Sequence, residues 1–257
     1  MELKINTFKK AISTGHKQVG IWNSLCSNIA SDALASSAYD WALLDMEHSP
    51  NDFRTVLSQL QAYENGTTSA VVRPVWNDPV IVKSLLDMGA QSLLFPMVQN
   101  ADEARKAVAA TRYPPDGMRG VSASQRGNRY GRVKDYLHKA HEEICVLVQI
   151  ETLEALGNIP EIANVDGVDG IFFGPADLAA DMGIMGQLAS DELWAMIDKG
   201  IEAGTAAGVP VGTLVGSSHK ALEVLERGMT YVACSSDLNL MVIAADAQLA
   251  AIRSKLD

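Results

Sequence analysis

Gln149-Ile150-Glu151 closes the apolar run 146–150, and Gly174-Pro175-Ala176-Asp177-Leu178 follows a second such run, 168–173. Each run has the composition of a buried β-strand, and each is followed by a carboxylate, Glu151 or Asp177. Barrel and open α/β enzymes place their chemistry at the carboxyl ends of parallel strands. Two carboxylates at such ends, completed by water, suit a hard divalent cation. The two runs therefore predict a parallel α/β fold with a metal-binding mouth.

Outward from these runs, short apolar or β-branched segments alternate with longer segments of helical period, as in repeated βα units around a parallel sheet. The predicted strands lie at residues 18–22, 41–45, 69–73, 92–96, 145–150, 170–173, 210–215 and 231–235. The chain has 257 residues, close to the roughly 250 residues of a typical (β/α)₈ barrel. We therefore predict an α/β fold, a (β/α)₈ TIM barrel, in a single domain over residues 1–257.

The charge balance and the cysteines exclude several partners and compartments. The sequence has 21 basic and 31 acidic residues and a net charge of −10, so nucleic acid or an anionic membrane has no general electrostatic support. The three cysteines follow no metal or redox spacing and are expected to be reduced. No apolar stretch approaches the roughly 20 residues of a membrane span, and residues 1–10 lack the apolar segment of a signal peptide. We expect a cytoplasmic protein with a small-molecule ligand.

Polar residues after the second and third predicted strands should face the same mouth as the two acids. Asp45 closes the second strand, Glu47 and His48 follow it, and Arg73 closes the third strand. A histidine can take or give a proton near neutral pH, and Asp45 or Glu47 could orient its ring. The alternative is a surface or supporting role for His48, because a single histidine does not define a site.

Glu151 and Asp177 also have a purely structural explanation. An acid at the N-cap or in the first turn of a helix interacts favourably with the positive end of the helix dipole. Taken singly, each acid fits that explanation. Their coincidence at two neighbouring strand ends, with an arginine and a histidine at the same mouth, favours a functional site.

Two further segments have a functional and a plain interpretation. The loop 113–133 is long and rich in glycine, and its arginines could meet a substrate carboxylate, shape a subunit contact or lie in solvent. These arginines are Arg119, Arg126, Arg129 and Arg132. Gly216-Ser217-Ser218, after the seventh strand, could cradle a phosphate at a helix N-terminus, although an ordinary βα turn has the same composition.

Several motifs, taken in order along the chain, resemble the HpcH/HpaI aldolases. They are Asp45-Met46-Glu47-His48-Ser49-Pro50-Asn51-Asp52, Val72-Arg73-Pro74, Leu86-Asp87-Met88-Gly89-Ala90, Arg112-Tyr113-Pro114-Pro115, Arg119-Gly120-Val121, Val148-Gln149-Ile150-Glu151 and Gly174-Pro175-Ala176-Asp177-Leu178. The resemblance covers nearly the whole chain. It implies a class II, metal-dependent aldolase, a carbon-carbon lyase that cleaves 4-hydroxy-2-oxo acids to pyruvate and an aldehyde. It also implies a barrel whose last helix is exchanged between subunits, assembled as a homohexamer from three dimers.

The resemblance assigns ligands for the metal and for pyruvate. Glu151 and Asp177 would hold a divalent ion, Mg²⁺, Mn²⁺ or Co²⁺. The pyruvate half would be held by Gln149, Gly174, Ala176, Asp177 and Leu214. These assignments agree with the two carboxylates found from the strand ends alone.

The resemblance also assigns catalytic roles. Arg73 would contact the keto oxygen, His48 paired with Asp45 would serve acid–base chemistry, and Asp87 would enter a neighbouring subunit's site. Met46 stands where the family pattern has glycine. If glycine is needed there for close approach, the loop after the second strand must follow a different path.

The chemistry implied by the resemblance explains why these residue types are needed together. Cleavage leaves a pyruvate enolate, whose charge a metal ion and Arg73 can stabilise. The alternative class I chemistry would need a lysine Schiff base, but the lysines fall in helix-like or charged segments. Motif similarity leaves two substrates open, 4-hydroxy-2-oxoheptanedioate and a 2-keto-3-deoxy sugar acid. An oxaloacetate decarboxylase, or a lyase of a phosphorylated or coenzyme A substrate, is the alternative function.

Overall fold

Eight parallel strands close into a barrel in sequence order in the computed structural model of the chain, which describes residues 1–256. The strands are β1 (Gln18–Asn23), β2 (Trp41–Asp45), β3 (Ser69–Arg73), β4 (Ser92–Phe95), β5 (Cys145–Ile150), β6 (Gly170–Phe173), β7 (Val211–Val215) and β8 (Tyr231–Ser236). Each predicted strand is confirmed, with its ends displaced by at most one residue. The predicted (β/α)₈ barrel is therefore confirmed.

One helix precedes β1, and the other helices follow the strands around the outside of the barrel. They are α1 (Thr7–Ser13), α2 (Asn28–Ala35), α3 (Phe53–Tyr63), α4 (Pro79–Asp87), α5 (Ala101–Thr111), α6 (Tyr136–Lys139), α7 (Leu153–Gly157), α8 (Ile159–Ala163), α9 (Pro175–Asp181), α10 (Asp191–Ala206), α11 (Ser218–Glu226) and α12 (Asp237–Arg253). Short 3₁₀ helices lie at Arg126–Asn128 and Ala140–Glu143. The helix α4 begins with Pro79 at its first position, and the Asp78 side chain caps it by accepting hydrogen bonds from its first turn.

The barrel interior is filled by large side chains rather than left open. Phe8 of α1 plugs the amino-terminal end, where its ring lies 5.5 Å from the Trp41 ring and 5.7 Å from the Tyr231 ring. A β-carbon on Gly20 would lie 2.3 Å from Trp41, and one on Gly212 would lie 2.4 Å from Tyr231. These glycines therefore leave the space that the two aromatic rings occupy. The plug closes one end, so the opening is at the carboxyl ends of the strands.

Strand register brings the predicted functional residues to one level at that opening. Asp45 of β2 is paired with Arg73 of β3, and Gln149 of β5 is paired with Phe172 of β6. Because parallel strands end on the same edge, Glu151 and Asp177 follow β5 and β6 at the same mouth.

The last helix, α12, does not pack along the barrel as the other long helices do. Its buried residue is Asp237, at its first turn. Its exposed apolar side chains are Leu238, Leu240, Met241, Val242, Ile243, Leu249 and Ile252. No helix within residues 1–256 combines the length and the apolar character that a membrane crossing requires.

Candidate active site

A cavity of about 380 Å³ opens at the carboxyl ends of the strands. The predicted site residues that line it are His48, Arg73, Gln149, Glu151, Gly174, Ala176, Asp177 and Leu214. A larger cavity of about 630 Å³ lies at the opposite end, between the segment 1–7 and the starts of β3 and β4. The predicted residues therefore come together in the smaller cavity.

The bottom of this cavity is built on an ion pair between neighbouring strands. Arg73 Nε and Nη2 donate to the two carboxylate oxygens of Asp45, each at 2.8 Å. Asp45 also accepts from Trp22 Nε1 at 3.2 Å and from the Glu47 backbone N–H at 3.0 Å. Burial opposes ionisation of Asp45, but the hydrogen bonds and charge of Arg73 outweigh it and lower the pKa of Asp45. Asp45 is therefore a carboxylate that fixes the plane of the guanidinium group.

Hydrogen bonds connect the Asp45–Arg73 ion pair through Gln149 to Glu151. Arg73 Nη1 donates to Gln149 Oε1 at 3.4 Å, and Gln149 Nε2 donates to Glu151 Oε1 at 2.7 Å. The other Glu151 oxygen, Oε2, accepts from the Met97 backbone N–H at 3.0 Å. We call the four residues Asp45, Arg73, Gln149 and Glu151 the floor network. Each is buried, and each holds its neighbour.

The charge around Glu151 is unbalanced towards negative. The pKa of Glu151 is raised to about 7, mainly by burial and in addition by the charges of Asp177 and Glu47, while the Met97 amide and Arg73 act in the opposite direction. Arg73 is already matched by Asp45 and by Glu47, whose Oε2 lies 2.9 Å from Arg73 Nη1. A cation in the cavity would relieve this excess of negative charge.

The backbone near Glu151 is shaped to hold its carboxylate. A β-carbon on Gly174 would lie 2.4 Å from Glu151 Oε1, so only glycine lets the carboxylate lie against this turn. Met97 has a φ of 54°, in the left-handed region, and this conformation places its N–H toward Glu151. Both features place the acid at the cavity surface.

The donor set fits a divalent cation that is held by few protein atoms. Glu151 and Asp177 supply hard carboxylate oxygens to one cavity. Within residues 1–256 no group of three or more histidine, cysteine or acidic side chains is arranged to enclose a metal ion. An ion bound by two acids keeps coordination positions for a substrate and water, as catalytic sites require.

His48 lies on the rim of the cavity, where its side chain is 65% exposed. Its Nε2 lies 3.9 Å from Glu47 Oε2, whereas the one hydrogen bond from His48 to Asp45 comes from the His48 backbone N–H, at 3.4 Å. The predicted pairing of the His48 ring with Asp45 is therefore wrong in this structure. Asp45 is occupied by Arg73, and Glu47, the other acid considered for this task, is the neighbour of the ring.

Met46 is the residue directly after β2, where the family pattern has glycine. Its backbone lies outside the left-handed region, its N–H donates to the Arg73 carbonyl oxygen at 3.0 Å, and its side chain is buried. A β-carbon is therefore accommodated at this position without a left-handed backbone conformation.

Asp87 and the loop 113–133 lie outside the cavity of this protomer. Asp87, at the end of α4, accepts from Arg119 Nη2 at 2.9 Å. Arg126 and Arg129 both pair with Glu64. Within the described residues these arginines bind carboxylates of their own chain, so they are not free to meet a substrate in this cavity. Ser217 caps α11 by accepting from the Lys220 N–H at 3.2 Å, as in an ordinary βα turn.

Sequence reasoning missed several residues that line the cavity. They are Trp22, Phe172, Phe173, Leu188, Val215, Ser235, Ser236 and Asn239. Trp22 and Ser235 stand near the carboxyl ends of β1 and β8, so the strand-end rule could have found them. Leu188 lies between α9 and α10 and carries no such signal.

The fold and this cavity together define a barrel enzyme that works at the carboxyl ends of its strands. The sequence profile of the HpcH/HpaI aldolase/citrate lyase family matches residues 18–244. The chain belongs to this family, and the predicted resemblance is confirmed.

Known relatives match over nearly the full length. The 4-hydroxy-2-oxo-heptane-1,7-dioate aldolase of Salmonella dublin is 51% identical over 243 residues, 94% of this chain and 92% of the relative. The protein of the same name from Klebsiella pneumoniae subsp. pneumoniae is 52% identical over 243 residues, with 94% and 92% coverage. The crystal structure of a HpcH/HpaI aldolase/citrate lyase family protein from Burkholderia cenocepacia J2315 superposes with a TM-score of 0.94 at 37% identity, covering 96% of this chain and 99% of that one.

Proposed function

We propose that this protein is a divalent-metal-dependent pyruvate aldolase, which reversibly cleaves 4-hydroxy-2-oxo acids to pyruvate and an aldehyde. The observation that carries the proposal is the shared cavity of Glu151, Asp177 and the buried Arg73. The names of the relatives that are about half identical over most of the chain support a carbon-carbon lyase. The presence of two acids and one guanidinium group in the same cavity suits a reaction in which negative charge develops on a 2-oxo acid.

The floor network has to bind an anionic substrate half and stabilise its enolate. When held by Glu151 and Asp177, Mg²⁺, Mn²⁺ or Co²⁺ supplies Lewis-acid stabilisation of the developing charge. Arg73 presents a guanidinium group whose plane is set by Asp45, so little reorganisation is needed when the keto oxygen becomes negative. Gln149 forms hydrogen bonds with both Arg73 and Glu151 and thereby fixes the position of each relative to the other. Gly174, Ala176 and Leu214 complete the wall around the pyruvate half.

Cleavage also needs a group that removes the proton of the 4-hydroxyl. We assign this role to His48, because its ring lines the cavity and Glu47 lies beside it. In the reverse direction the same ring returns the proton to the aldehyde oxygen. Asp45 acts on the arginine and not on this ring, so it is a positioning residue in this proposal.

The exposed α12 supports the assembly implied by the family resemblance. A helix of 17 residues with apolar side chains in solvent requires a partner surface. We propose that α12 packs on a second copy of this single-domain chain and that three such dimers form a hexamer. Light scattering after size-exclusion chromatography is expected to give six times the 27.5 kDa chain mass. A monomer at micromolar concentration would contradict the exchange.

The proposed activity is tested by a coupled pyruvate-release assay over a panel of 4-hydroxy-2-oxo acids. EDTA should abolish release, and Mg²⁺, Mn²⁺ or Co²⁺ should restore it. Full turnover after exhaustive chelation would contradict the metal dependence. Oxaloacetate belongs in the panel, because turnover of oxaloacetate alone would replace the aldolase with a decarboxylase.

A further inference from the structure

Trp22, at the carboxyl end of β1, connects the floor network to the packed interior of the barrel. Its Nε1 donates to Asp45 Oδ2 at 3.2 Å, and the centre of its ring lies 5.0 Å from Cζ of Arg73. Trp22, Asp45 and Arg73 are 5%, 2% and 6% exposed. All three are buried and their contacts are made within one chain, so these contacts do not depend on what a second copy contributes at the mouth.

Both contacts of Trp22 act on the ion pair between Asp45 and Arg73. Asp45 Oδ2 accepts from Trp22 Nε1 and also from Arg73 Nη2, which lies 2.8 Å away. The indole and the guanidinium group therefore hold the same carboxylate oxygen, and the carboxylate cannot rotate without losing a donor. The face of an indole also attracts a cation that lies within about 6 Å of its centre. Trp22 thus holds the arginine directly through its ring and indirectly through its N–H.

A column of aromatic rings supports the indole from below. The Trp22 ring lies 5.7 Å from the Phe172 ring, although β1 and β6, which carry them, are separated by β7 and β8 in the barrel. Phe172 in turn lies 6.0 Å from Tyr231, whose ring lies 5.7 Å from that of Phe8 in the plug. Close-packed interiors transmit a displacement instead of absorbing it. The column therefore sets the position of Trp22 relative to the barrel axis.

A second tryptophan in the barrel interior shows what packing alone requires. Trp41 of β2 is fully buried, and its ring packs against Phe8 and Tyr231. Its Nε1 has no hydrogen-bond partner among residues 1–256. A tryptophan that fills space in this core therefore needs no polar partner. The bond from Trp22 to Asp45 is an additional feature, and it lies at the end of the column that meets the cavity.

We infer that Trp22 is a positioning residue of the proposed reaction, which acts on the keto oxygen of pyruvate through Arg73. This inference rests on the proposed function, in which the guanidinium group stabilises the enolate. Such stabilisation requires donors that are already in place when the charge develops. Trp22 keeps Arg73 in place by contacting its guanidinium group and by holding its carboxylate partner. Loss of Trp22 should therefore lower the rate of enolate formation more than the affinity for pyruvate.

The test measures enolate formation without any aldehyde. Exchange of the pyruvate methyl protons in D₂O at saturating Mg²⁺, followed by NMR, gives kcat and KM for the pyruvate half alone. Trp22→Phe keeps an aromatic ring but removes the N–H, and kcat should fall about tenfold, the equivalent of one hydrogen bond. Trp22→Leu removes both contacts, and kcat should fall about a hundredfold, as a misplacement of about 1 Å can cause. KM for pyruvate should stay within about threefold in both variants.

Trp41→Phe is the matched control, because it removes the same atoms from the same interior but breaks no hydrogen bond. It should lower the free energy of unfolding in urea, as Trp22→Phe does, while its kcat stays within about twofold of the wild-type value. An equal loss of kcat in the two phenylalanine variants would show that Trp22 serves packing alone, and this result would overturn the inference.

The remaining outcomes separate the inference from the proposed function. A wild-type protein that exchanges no pyruvate protons would overturn the proposed function itself. Normal exchange in the wild type with an unchanged kcat in Trp22→Phe would overturn the inference alone. If circular dichroism shows that Trp22→Phe does not fold, benzothienylalanine is incorporated at position 22, because this analogue keeps the bicyclic ring and lacks the N–H. A loss of kcat of about tenfold in that protein supports the inference, and a wild-type kcat overturns it.

Discussion

The floor network and a neutral cluster of Ser235, Ser236 and Asn239, which we call the acceptor side, occupy the same cavity but differ in how their side chains are held. Each residue of the floor network is buried and bonded to its neighbour, from Asp45 through Arg73 and Gln149 to Glu151. The acceptor side is a short neutral cluster at a strand bulge and a helix start. The first arrangement is suited to charge stabilisation, which requires fixed dipoles, and the second to discrimination between ligands. Changes to the floor network should therefore abolish chemistry, whereas changes to the acceptor side should redistribute substrates.

The largest effect is expected for the two acids. Glu151→Gln and Asp177→Asn should each reduce pyruvate release by about a thousandfold or more, since a bound cation supplies several kcal/mol of stabilisation. Both variants should also lose Mn²⁺ binding in isothermal titration calorimetry, while circular dichroism shows a folded barrel.

The matched control is Asp102→Asn. Asp102, like Asp177, lies in the first turn of a helix, but it pairs with Arg105 on the surface. If Asp177 served only the helix dipole, the two variants would behave alike. Mn²⁺ binding retained in Asp177→Asn would contradict its role as a metal ligand.

The next effect concerns the arginine of the floor network. Arg73→Lys should reduce kcat by about 10²–10³-fold, as removal of one oxyanion donor does. A lysine keeps the charge but cannot donate to both oxygens of Asp45 and also reach Gln149. Steady-state kinetics with Mn²⁺ at saturation isolate this loss from metal binding. Near-normal kcat would remove the guanidinium plane from the mechanism.

Much of the floor network could be predicted from the sequence because its residues sit at strand ends. An apolar run that stops at Asp45, Arg73 or Glu151 predicts where the strand lies. It also predicts that the charged side chain lies at the carboxyl-terminal edge of the sheet. The closed barrel then brings these ends together, whatever their separation in the chain. For this reason the strand bounds, and the meeting of Arg73 and Glu151 at one cavity, could be predicted from short-range patterns.

Partner choice within the site could not be predicted in the same way. Asp45 and Glu47 are both close to His48 in sequence and both pair with Arg73, and only the folded structure shows that Glu47 is the acid near the ring. The bulge at Ser235 depends on the register between β8 and β1, and the composition of the two strands does not predict this register. The loop arginines illustrate a third case, because Glu64 and Asp87 bind them from elements distant in sequence.

A smaller effect, on Mn²⁺ affinity, is expected for one of two glycines that line the cavity and not for the other. Gly174→Ala should weaken Mn²⁺ binding by about 10–100-fold, the usual cost of disturbing the surroundings of a metal ligand. Its β-carbon would lie 2.4 Å from Glu151 Oε1, whereas a β-carbon on Gly216 would have nothing within 4 Å. Gly216→Ala is therefore the control, and its affinity should stay within about twofold. Equal affinities for both variants would show that Gly174 does not position Glu151.

The smallest effect concerns the free energy of unfolding, because the stabilisation that Asp45 contributes should depend on pH. Burial opposes its charge, but Arg73 outweighs burial and lowers the pKa of Asp45 in the folded state. A lowered folded-state pKa means that the stabilisation is present above the unfolded-state pKa and is lost as pH falls through the folded-state pKa. The difference in unfolding free energy between wild type and Asp45→Asn should thus narrow by about 1 kcal/mol between pH 7 and pH 3.5.

Urea unfolding at the two pH values measures this difference, and Asp102→Asn again provides the comparison. The Asp102 pair lies in solvent and should contribute little at either pH. A gap for Asp45→Asn that stays constant down to pH 3.5 would mean that packing, and not the charge on Asp45, stabilises this end of the floor network. In that case Gln149 and Glu47, rather than the charge of Asp45, would orient Arg73. Glu151 would then be the charged residue that distinguishes this side of the cavity from the neutral side.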